Sequence, residues 1–350
     1  MAFKKDKKQI GIKMVEINLR ELKRYANPFF LTIRKDKILV NNKRMARLSR
    51  TKMDKIEEEF GIPVVYSKTY EYVSTKVGRF INKHKIIAPR DVIIVGLSGG
   101  KDSLLLLHLL EVYRRKYGIK LIAVTVDVNI GGVRPWKEDT EGVKLVKHHC
   151  EMLDIPHLLL KSNLDVVELS EILTKNSKGM EFSPCFSCSV IKRHLLGKFA
   201  KEIAEKENIS YEKVKLAYGH NLDDNSDTIL ANIFKGERLK FMRPLTRFKY
   251  NEVDYQSFKI PLEECIIIRP MLPVLERDII KALEECGIEY YKDKDMCPYS
   301  RDRGDSIRRR CHEILENLEK EIPNIREMVV SSALKTVDYY SKNPYGSDEE

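Results

Sequence analysis

A glycine-rich turn between a buried strand and an apolar helix is the feature that most constrains the fold of this chain. The run D-V-I-I-V-G-L from residue 91 is almost continuously apolar, as in a strand covered on both faces. It leads into S-G-G-K-D-S at Ser98–Ser103, and the leucine-rich residues 102–116 predict a helix. A glycine turn that opens a helix presents backbone N–H groups to an anion. This segment therefore predicts a phosphate-binding loop.

The alternation of apolar strands and helices continues far beyond this turn. Further strands are expected at 120–127, 157–161, 213–220 and 266–270, and helices at 138–153, 189–207, 223–235 and 275–286. Strands and helices that alternate at this spacing form a parallel sheet with helices on both faces. The predicted fold class is therefore α/β, with a doubly wound parallel sheet.

The N-terminal segment has a different composition and predicts a small basic α+β module. Residues 1–52 hold sixteen Lys or Arg against four Asp or Glu, an excess of +12, whereas the whole chain carries +11. A helix at 15–25, a β-hairpin at 29–40 and a further helical segment that ends at Gly61 are expected. A basic segment on a near-neutral body favours a polyanionic partner, and nucleic acid is the usual one.

These patterns divide the chain into three predicted units. The basic module covers 1–68 and is predicted to bind RNA, the α/β domain with the phosphate-binding turn covers 69–300, and a helical C-terminal extension covers 301–350, with a disordered tail. The extension carries Arg308–Arg310, which are expected to extend the basic surface. The basic module also contains Tyr25, Phe29 and Phe30. They form either the module's own core, which is the favoured interpretation, or a stacking platform for bases.

Each residue of the glycine-rich turn has a predicted role toward phosphate. Gly99 and Gly100 allow a tight turn and a close approach to the ligand. The hydroxyl groups of Ser98 and Ser103 can donate hydrogen bonds, and Lys101 adds positive charge. Asp102, in the first helical turn, is expected to cap the helix or to place Mg²⁺. The spacing is not that of the Walker loop.

The seven cysteines include one C-x-x-C pair, Cys185 and Cys188, in S-P-C-F-S-C. An odd number of cysteines in a chain with no apparent secretion signal argues against a disulfide framework. The pair alone fits half a zinc site, a redox pair or chance, and Cys297 in D-M-C-P-Y-S is the best third thiol. Three thiolates leave one coordination position open, which suits a metal or a cluster that takes part in chemistry. The remaining four are read as small core residues: Cys150, Cys265, Cys286 and Cys311.

A second polar motif, G-H-N-L-D-D-N-S-D-T, closes one predicted strand and opens a helix at 219–228. Asp223 and Asp224 lie at the helix N-terminus, where carboxylates cap the helix and can also hold a cation. Ligands of open α/β sheets lie at the carboxyl ends of the strands. The turn at Ser98–Ser103 is therefore expected to share one rim with Asp127 and with Gly219–His220.

The order S-G-G-K-D-S, C-x-x-C, G-H-N-L-D-D, R-P-x-x-P and a late Cys-Pro resembles the PP-loop ATP pyrophosphatases. Within that superfamily it looks like the tRNA 2-thiolation enzymes, which include the 2-thiouridine and 2-thiocytidine synthetases. The resemblance covers roughly residues 75–335. It implies that the loop binds ATP, that a substrate oxygen is adenylated with release of pyrophosphate, and that sulfur then replaces that oxygen.

Carried over residue by residue, the resemblance implies several site assignments. A 4Fe-4S cluster would be held by Cys185, Cys188 and Cys297, and the catalytic residues would be Cys188, Lys192, Asp223 and Asp224. ATP and Mg²⁺ would bind on the turn, with adenine near Asp127 and further contacts from Gly219 and His220. A tRNA, a sulfur donor such as sulfide or a sulfur-carrier protein, and a homodimer formed through the C-terminal helices are the expected partners.

Two departures from the family pattern matter. Several thiouridine enzymes begin with cysteine-rich zinc modules, whereas this chain has no cysteine before Cys150. Asn225 and Ser226 replace the more usual Glu or Gln after the aspartates, which leaves the target base open between uridine and cytidine. Two alternatives also stay open: a PP-loop enzyme with an amine nucleophile, and a non-catalytic nucleotide- or RNA-binding protein with redox-sensitive thiols. No membrane span is expected, and neither is a secretory signal, which predicts a cytoplasmic protein.

Overall fold

The computed structural model describes residues 17–177, 181–292, 297–299 and 307–342, with side chains described up to residue 336. Three expectations fall wholly or partly outside these residues: the start of the helix at 15–25, the first residues of the C-terminal extension, and the disordered tail. In the described part of the chain, no helix has the length and apolar character needed to cross a membrane.

The N-terminal unit is a small three-stranded sheet packed with two helices. Its elements are α1 (Leu19–Leu22), β1 (Leu31–Ile33), β2 (Ile38–Val40), α2 (Arg50–Phe60) and β3 (Val64–Val65). Strands β1 and β2 form the predicted antiparallel hairpin, and β3 pairs with β2 in parallel. Helix α2 ends where Gly61 adopts a left-handed conformation with φ +67°, as glycine C-caps commonly do.

The central domain confirms the predicted α/β fold. Its first elements are α3 (Lys68–His84), β4 (Val92–Gly96), α4 (Lys101–Tyr117), β5 (Lys120–Asn129), α5 (Glu141–Leu153), β6 (His157–Asp165), α6 (Val166–Asn176) and α7 (Pro184–Lys206). There follow β7 (Val214–Ala217), α8 (Leu222–Phe234), β8 (Leu245–Phe248), β9 (Asn251–Tyr255), β10 (Phe258–Leu262), β11 (Cys265–Ile268) and α9 (Glu276–Glu285). Helices α10 (Ile307–Glu319) and α11 (Ile325–Lys342) form the helical C-terminal part.

The main sheet has the order β6-β5-β4-β7-β11-β8, with all neighbours parallel except the edge strand β8. Strand β4 is covered on both faces: Ile93 and Val95 belong to one core cluster, and Val92 and Ile94 belong to the other. The chain leaves β4 toward β5 and later returns to its other side with β7. This reversal puts the loops after β4 and β7 together at the carboxyl ends of the strands, where ligands of such sheets bind.

The N-terminal unit is fixed to the central domain by a buried arginine. The guanidinium of Arg34 pairs with Asp36, with 2.7 Å between Nε and Oδ1, and donates to His108 Nε2 at 2.7 Å and to His149 Nδ1 at 3.0 Å. Because a guanidinium has no acceptor, both imidazole nitrogens that it contacts must be unprotonated. The opposite ring nitrogens therefore donate, to the carbonyls of Leu104 and Glu289, both at 2.8 Å.

This junction predicts a loss of stability in mild acid. Burial, followed by the charge of Arg34, lowers the pKa of His149 to about 4, so the unfolded chain takes up a proton first. The stabilisation is complete above about pH 6.5 and declines as the pH falls toward the folded-state value, by about 1.4 kcal/mol for His149 at pH 5.5. Thermal unfolding at pH 7.5 and 5.5 checks this. The His149→Gln variant, whose amide can accept and donate without titrating, should lose less stability between the two pH values than the parent protein.

Candidate active site

The glycine-rich turn is shaped as a strand–turn–helix anion site. Gly100 is the N-cap of α4, and among the residues the structure describes no side chain caps this helix. The first N–H groups of α4 are therefore available to a ligand. Gly99 has φ +83°, and a Cβ on it would lie 2.9 Å from the carbonyl oxygen of Gly142 in α5. Only glycine fits this position, because both the backbone conformation and the contact exclude a side chain.

The serines of the turn brace it from within. Ser103 Oγ donates to the Gly100 carbonyl at 3.0 Å and accepts from the Ser98 N–H at 3.3 Å. The Gly100 N–H points to Ser98 Oγ at 3.4 Å. These contacts hold the turn in shape, so the predicted role of the two hydroxyl groups as phosphate donors remains a prediction.

Lys101 and Asp102 are held at the start of α4 by carboxylate and amide partners. Lys101 Nζ lies 3.0 Å from Asp102 Oδ2 and 2.9 Å from Glu276 Oε1. Burial alone would lower the pKa of Lys101, but these two carboxylates raise it, so the ammonium stays charged. Asp102 Oδ1 accepts from Asn221 Nδ2 at 3.1 Å. Burial raises the pKa of Asp102, and the nearby carboxylate of Asp224 raises it further.

The loop after β7 lies directly against the start of α4. A Cβ on Gly219 would lie 2.9 Å from the backbone of Asp102, so glycine permits this close approach. His220 is next, and burial lowers its pKa to about 4, so that its ring is neutral. Its Nδ1 is buried and has no hydrogen-bond partner among the described residues. A neutral imidazole with an unpaired nitrogen is suited to a hydrogen bond with a ligand.

A cavity of about 440 Å³ opens between these two loops. Its walls include most of the predicted site and several residues that the sequence patterns did not single out. The predicted residues are Ser98, Gly100, Asp102, Ser103, Lys192, Gly219, His220 and Asp224, and the others include Val124, Val126, Trp136 and Tyr218. The structure therefore brings the loop after β4, the loop after β7 and helix α7 to one place.

The two predicted catalytic aspartates face different surroundings. Asp224 lines the cavity, forms a capping box with Asn221, and pairs with Arg308 Nη2 at 2.7 Å. Asp223 accepts from the backbone N–H of Glu276 at 2.7 Å and lies 3.2 Å from Arg326 Nε. The structure thus brings Asp224 to the cavity, whereas Asp223 joins α8 to α9 and α11.

The structure does not bring Asp127 into the cavity. Its carboxylate lies 3.0 Å from the guanidinium of Arg134, which also donates to the Ser162 carbonyl at 2.8 Å. Val124 and Val126, on the same strand, line the cavity instead. The apolar side chains of β5, rather than Asp127, are therefore placed to contact a planar base.

The three predicted cluster cysteines lie near one another at the start of α7. Cys185 and Cys188 are in its first turns, after the N-cap Ser183 and Pro184 at the first position. Burial raises the pKa of Cys188, and the thiols of Cys297 and Cys185 raise it further, whereas Lys192 lowers it. Within the described ranges, no three His, Cys, Asp or Glu side chains are close enough to hold a single metal ion. A 4Fe-4S cube takes its thiolates at separate corners, farther apart than the ligands of one ion.

Four other cysteines were predicted to be core residues, and all four are buried: Cys150, Cys265, Cys286 and Cys311. Burial raises the pKa of Cys150 to about 12 and that of Cys286 to about 12. A thiol with such a pKa is a poor metal ligand and a poor nucleophile at neutral pH. Cys150 and Cys286 are therefore structural, and burial raises the pKa of Cys265 and Cys311 as well.

Lys192 connects the cysteines with the cavity. It lies one helical turn after Cys188 on α7, its charge lowers the pKa of that thiol, and it lines the cavity. Its ammonium nitrogen lies 4.1 Å from the centroid of the Trp136 ring. The Lys192 ammonium thus lies between the cavity, which is suited to a nucleotide, and the thiol of Cys188.

Sequence reasoning missed three residues that shape the site: Trp136, Glu276 and Arg326. Each lies far in sequence from its partners; the indole N–H of Trp136, for example, donates to a carbonyl 38 residues away. Trp136 follows G-G-V-R-P, a turn signal whose glycines indicate a loop without indicating its destination. For Glu276 and Arg326, which lie in helices, no sequence signal marks the contact.

Comparison with known proteins now decides the family. A family model described as a PP-loop domain matches residues 69–311. The chain belongs to the PP-loop family. A probable sulfurtransferase of Methanocaldococcus jannaschii is 93% identical over 335 residues, which cover 96% of this chain and 99% of that protein. A tRNA-cytidine(32) 2-sulfurtransferase of Geobacter metallireducens is 30% identical over 268 residues, 76% of this chain and 90% of that one.

A solved structure agrees with the fold of this PP-loop enzyme. The U34-tRNA thiolase NcsA of Methanococcus maripaludis, determined with its [4Fe-4S] cluster, superposes with a TM-score of 0.54 over 77% of this chain and 79% of that one. Sequence identity is 24%, so this likeness concerns the fold alone. The predicted resemblance, the α/β fold and the assignment to sulfurtransferase enzymes are confirmed by these relatives.

Proposed function

We propose that this PP-loop enzyme thiolates tRNA: it adenylates the C2 oxygen of a uridine or cytidine and replaces that oxygen with sulfur. The observation that carries the proposal is the position of Lys192, which lies on the cavity wall one helical turn after Cys188 and lowers the pKa of that thiol. An enzyme that only split ATP, or that used an amine, would need no thiols beside that cavity. The relatives that are named as tRNA sulfurtransferases support the same reaction.

In the first step, ATP binds with its phosphates on the turn at Ser98–Ser103. The free N–H groups of α4 and the charge of Lys101 bind the phosphates, and the C2 oxygen attacks the α-phosphate with release of pyrophosphate. Asp102 and Asp224 both line the cavity, and the carboxylate of Asp224 raises the pKa of Asp102. Two such carboxylates suit a hard cation that prefers oxygen ligands, so they are the proposed Mg²⁺ ligands.

In the second step, sulfur attacks C2 and AMP leaves with the former carbonyl oxygen. Adenylation is required because a ring carbonyl oxygen is a poor leaving group. Lys192 lies where it can stabilise the negative charge that develops during this displacement. Cys185, Cys188 and Cys297 are the proposed ligands of a 4Fe-4S cluster: the first two share the first turns of α7, and the thiols of Cys185 and Cys297 are near enough to Cys188 to raise its pKa, whereas the charge of Lys192 lowers it. Such a cluster, with one iron free of cysteine, would supply a binding position for sulfide.

The N-terminal unit is the proposed tRNA contact. Exposed cations cover its surface, at Arg20, Lys23, Arg24, Arg44, Arg47 and Arg50. Tyr25 and Phe30 pack against the unit's core, as the favoured interpretation predicted, whereas Phe29 is 42% exposed. The exposed cations would bind the phosphate backbone, and Phe29 is left free to stack on a base. A sulfur donor, a homodimer and a cytoplasmic location remain predictions.

Nucleoside mass spectrometry tests the function. In a strain that lacks this gene, one 2-thiopyrimidine nucleoside should disappear from bulk tRNA. The intact gene should restore it, whereas a Cys188→Ser gene should not. A Cys150→Ser gene is the matched control, since that thiol is buried in α5, and it should restore modification. If every thionucleoside persists in the deletion strain, the proposed function is wrong.

Iron analysis tests the cluster separately. Protein purified without oxygen should be brown and hold about four irons per chain, as expected for a 4Fe-4S cluster. Cys185→Ser, Cys188→Ser and Cys297→Ser should each lower the iron content at least about twofold, and Cys286→Ser should not. A colourless protein whose Cys297→Ser variant still thiolates tRNA would contradict the cluster while leaving the thiolation reaction intact.

A further inference from the structure

The loop between β5 and α5 carries the single tryptophan of the chain, and it is anchored at both ends of a tight turn. Gly131 and Gly132 have φ of +56° and +86°, and their N–H groups donate to the side chains of Asp165 and Asn129 at 2.9 and 3.0 Å. Arg134 then returns the chain to the end of β5, where it pairs with Asp127. The position of the next residues is therefore fixed by the sheet.

This anchoring of the loop fixes the position of Trp136. Its side chain is buried, with the whole residue 8% exposed, and its indole N–H donates to the Ser98 carbonyl at 3.3 Å. The face of the same ring lies 4.1 Å from Lys192 Nζ. One rigid ring thus touches the nucleotide turn through its edge and the Lys192 ammonium through its face.

We propose that Trp136 is a positioning residue that holds the Lys192 ammonium at a fixed place between the nucleotide cavity and Cys188. This inference rests on the proposed function, in which Lys192 acts on the reacting oxygen. A lysine side chain has four rotatable bonds, and without a partner its ammonium would sample many positions. The indole face attracts a cation, and the indole N–H fixes the ring relative to the turn that holds the phosphates. Asp127 has a structural role in this arrangement, because its carboxylate pairs with Arg134 and so holds the loop that carries Trp136.

A spectroscopic test needs no activity. Because Trp136 is the only tryptophan, all indole emission of the protein comes from this site. Lys192→Met should change the intensity or the maximum of that emission in protein without ligands. Phe248→Leu is the matched control. The Phe248 ring lies 4.2 Å from the guanidinium carbon of Arg193, the cation next to Lys192 on α7. Removing this ring should leave the Trp136 emission unchanged. Unchanged emission in Lys192→Met would overturn the proposal.

A double-mutant cycle tests the positioning role. Trp136→Leu should lower kcat for thionucleoside formation about tenfold or more, with the Kd for ATP within about threefold, and Trp136→Phe, which keeps a ring, should retain most activity. In a Lys192→Met background, Trp136→Leu should cause no further loss, because its effect passes through Lys192. The inference would be overturned if the rate losses of the two single variants multiplied in the double variant. It would also be overturned if weaker ATP binding explained the whole rate loss of Trp136→Leu. Wild-type protein that binds ATP but thiolates no tRNA would instead remove the proposed function.

Discussion

Replacing Lys192 with methionine is expected to lower the rate of thionucleoside formation at least about 100-fold while the Kd for ATP changes by less than about threefold. Methionine keeps an unbranched side chain that is one atom shorter, and it removes the charge. The ammonium lies on the cavity wall one helical turn after Cys188, where it is proposed to act on the reacting oxygen, whereas the phosphates are proposed to bind on the turn and Lys101. Single-turnover assays with tRNA and calorimetry with ATP measure the two quantities.

The control for this prediction lies on the same helix. Lys198 belongs to α7 but is exposed, and Lys198→Met should leave both quantities within about twofold of the parent protein, as is usual for exposed surface substitutions. Lys192→Arg keeps a positive charge and should recover part of the rate. A Lys192→Met enzyme with a normal turnover rate would exclude Lys192 from the chemistry.

Replacing Arg326 with methionine is expected to destabilise the protein by about 3–5 kcal/mol, because it leaves buried carboxylates without their counter-charge. Arg326 is 1% exposed, and its guanidinium lies 2.6 Å from Asp227 Oδ1 and 3.2 Å from Asp223 Oδ1. It also donates to Ser226 Oγ at 3.0 Å. Thermal or chemical unfolding measures the loss.

An exposed arginine that shares a partner with Arg326 provides the comparison. Glu319 lies 3.9 Å from Arg326 Nε and 3.0 Å from the guanidinium of Arg277. The side chain of Arg277 is 64% exposed, so Arg277→Met should cost no more than about 1 kcal/mol. Adding Asp227→Asn to Arg326→Met should recover part of the stability, because one unpaired charge is removed. Equal unfolding free energies for the two arginine variants would contradict this account.

The predictable part of the fold is the part with strong apolar patterns. Strand β4 and helix α4 were predicted within one or two residues, because both are buried and the glycine turn separates them. The hairpin of β9 and β10 and the edge strand β8 were missed, since their side chains are largely exposed and form no continuous apolar run. Helix α6, which follows β6 directly, was missed as well.

The sequence pattern predicts the start of α7 at residue 189, whereas the helix begins five residues earlier, at Pro184. Ser183 and Pro184 are a standard N-cap and first-position pair, and this signal was available in the sequence. The difference matters for the candidate site, because Cys185 and Cys188 occupy the first turns of this helix and Lys192 lies one turn after Cys188.

The candidate site was predictable where a motif is local and was not where a contact is distant. The two loops at the sheet's carboxyl edge follow from strand order and short motifs, so Ser98–Ser103 and Gly219–His220 were expected together. The roles of Trp136 and Arg326 depend on partners up to about a hundred residues away. Asp127 is predicted to contact the ligand because it lies near the end of a strand. Its carboxylate instead pairs with Arg134, seven residues later in the sequence.

Helix α4 links the candidate site with the N-terminal unit. Its first residues belong to the glycine-rich turn, and its 17 residues span about 25 Å. Farther along the same helix, Glu111 accepts from the backbone N–H of Ile33 at 3.2 Å, and Arg115 pairs with Glu111 and donates to the Pro28 carbonyl at 3.2 Å. The proposed tRNA-binding unit and the glycine-rich turn are therefore joined by one continuous helix. If the N-terminal unit holds the RNA backbone, α4 fixes the distance between the bound phosphates and the cavity. That distance then determines which base reaches the cavity.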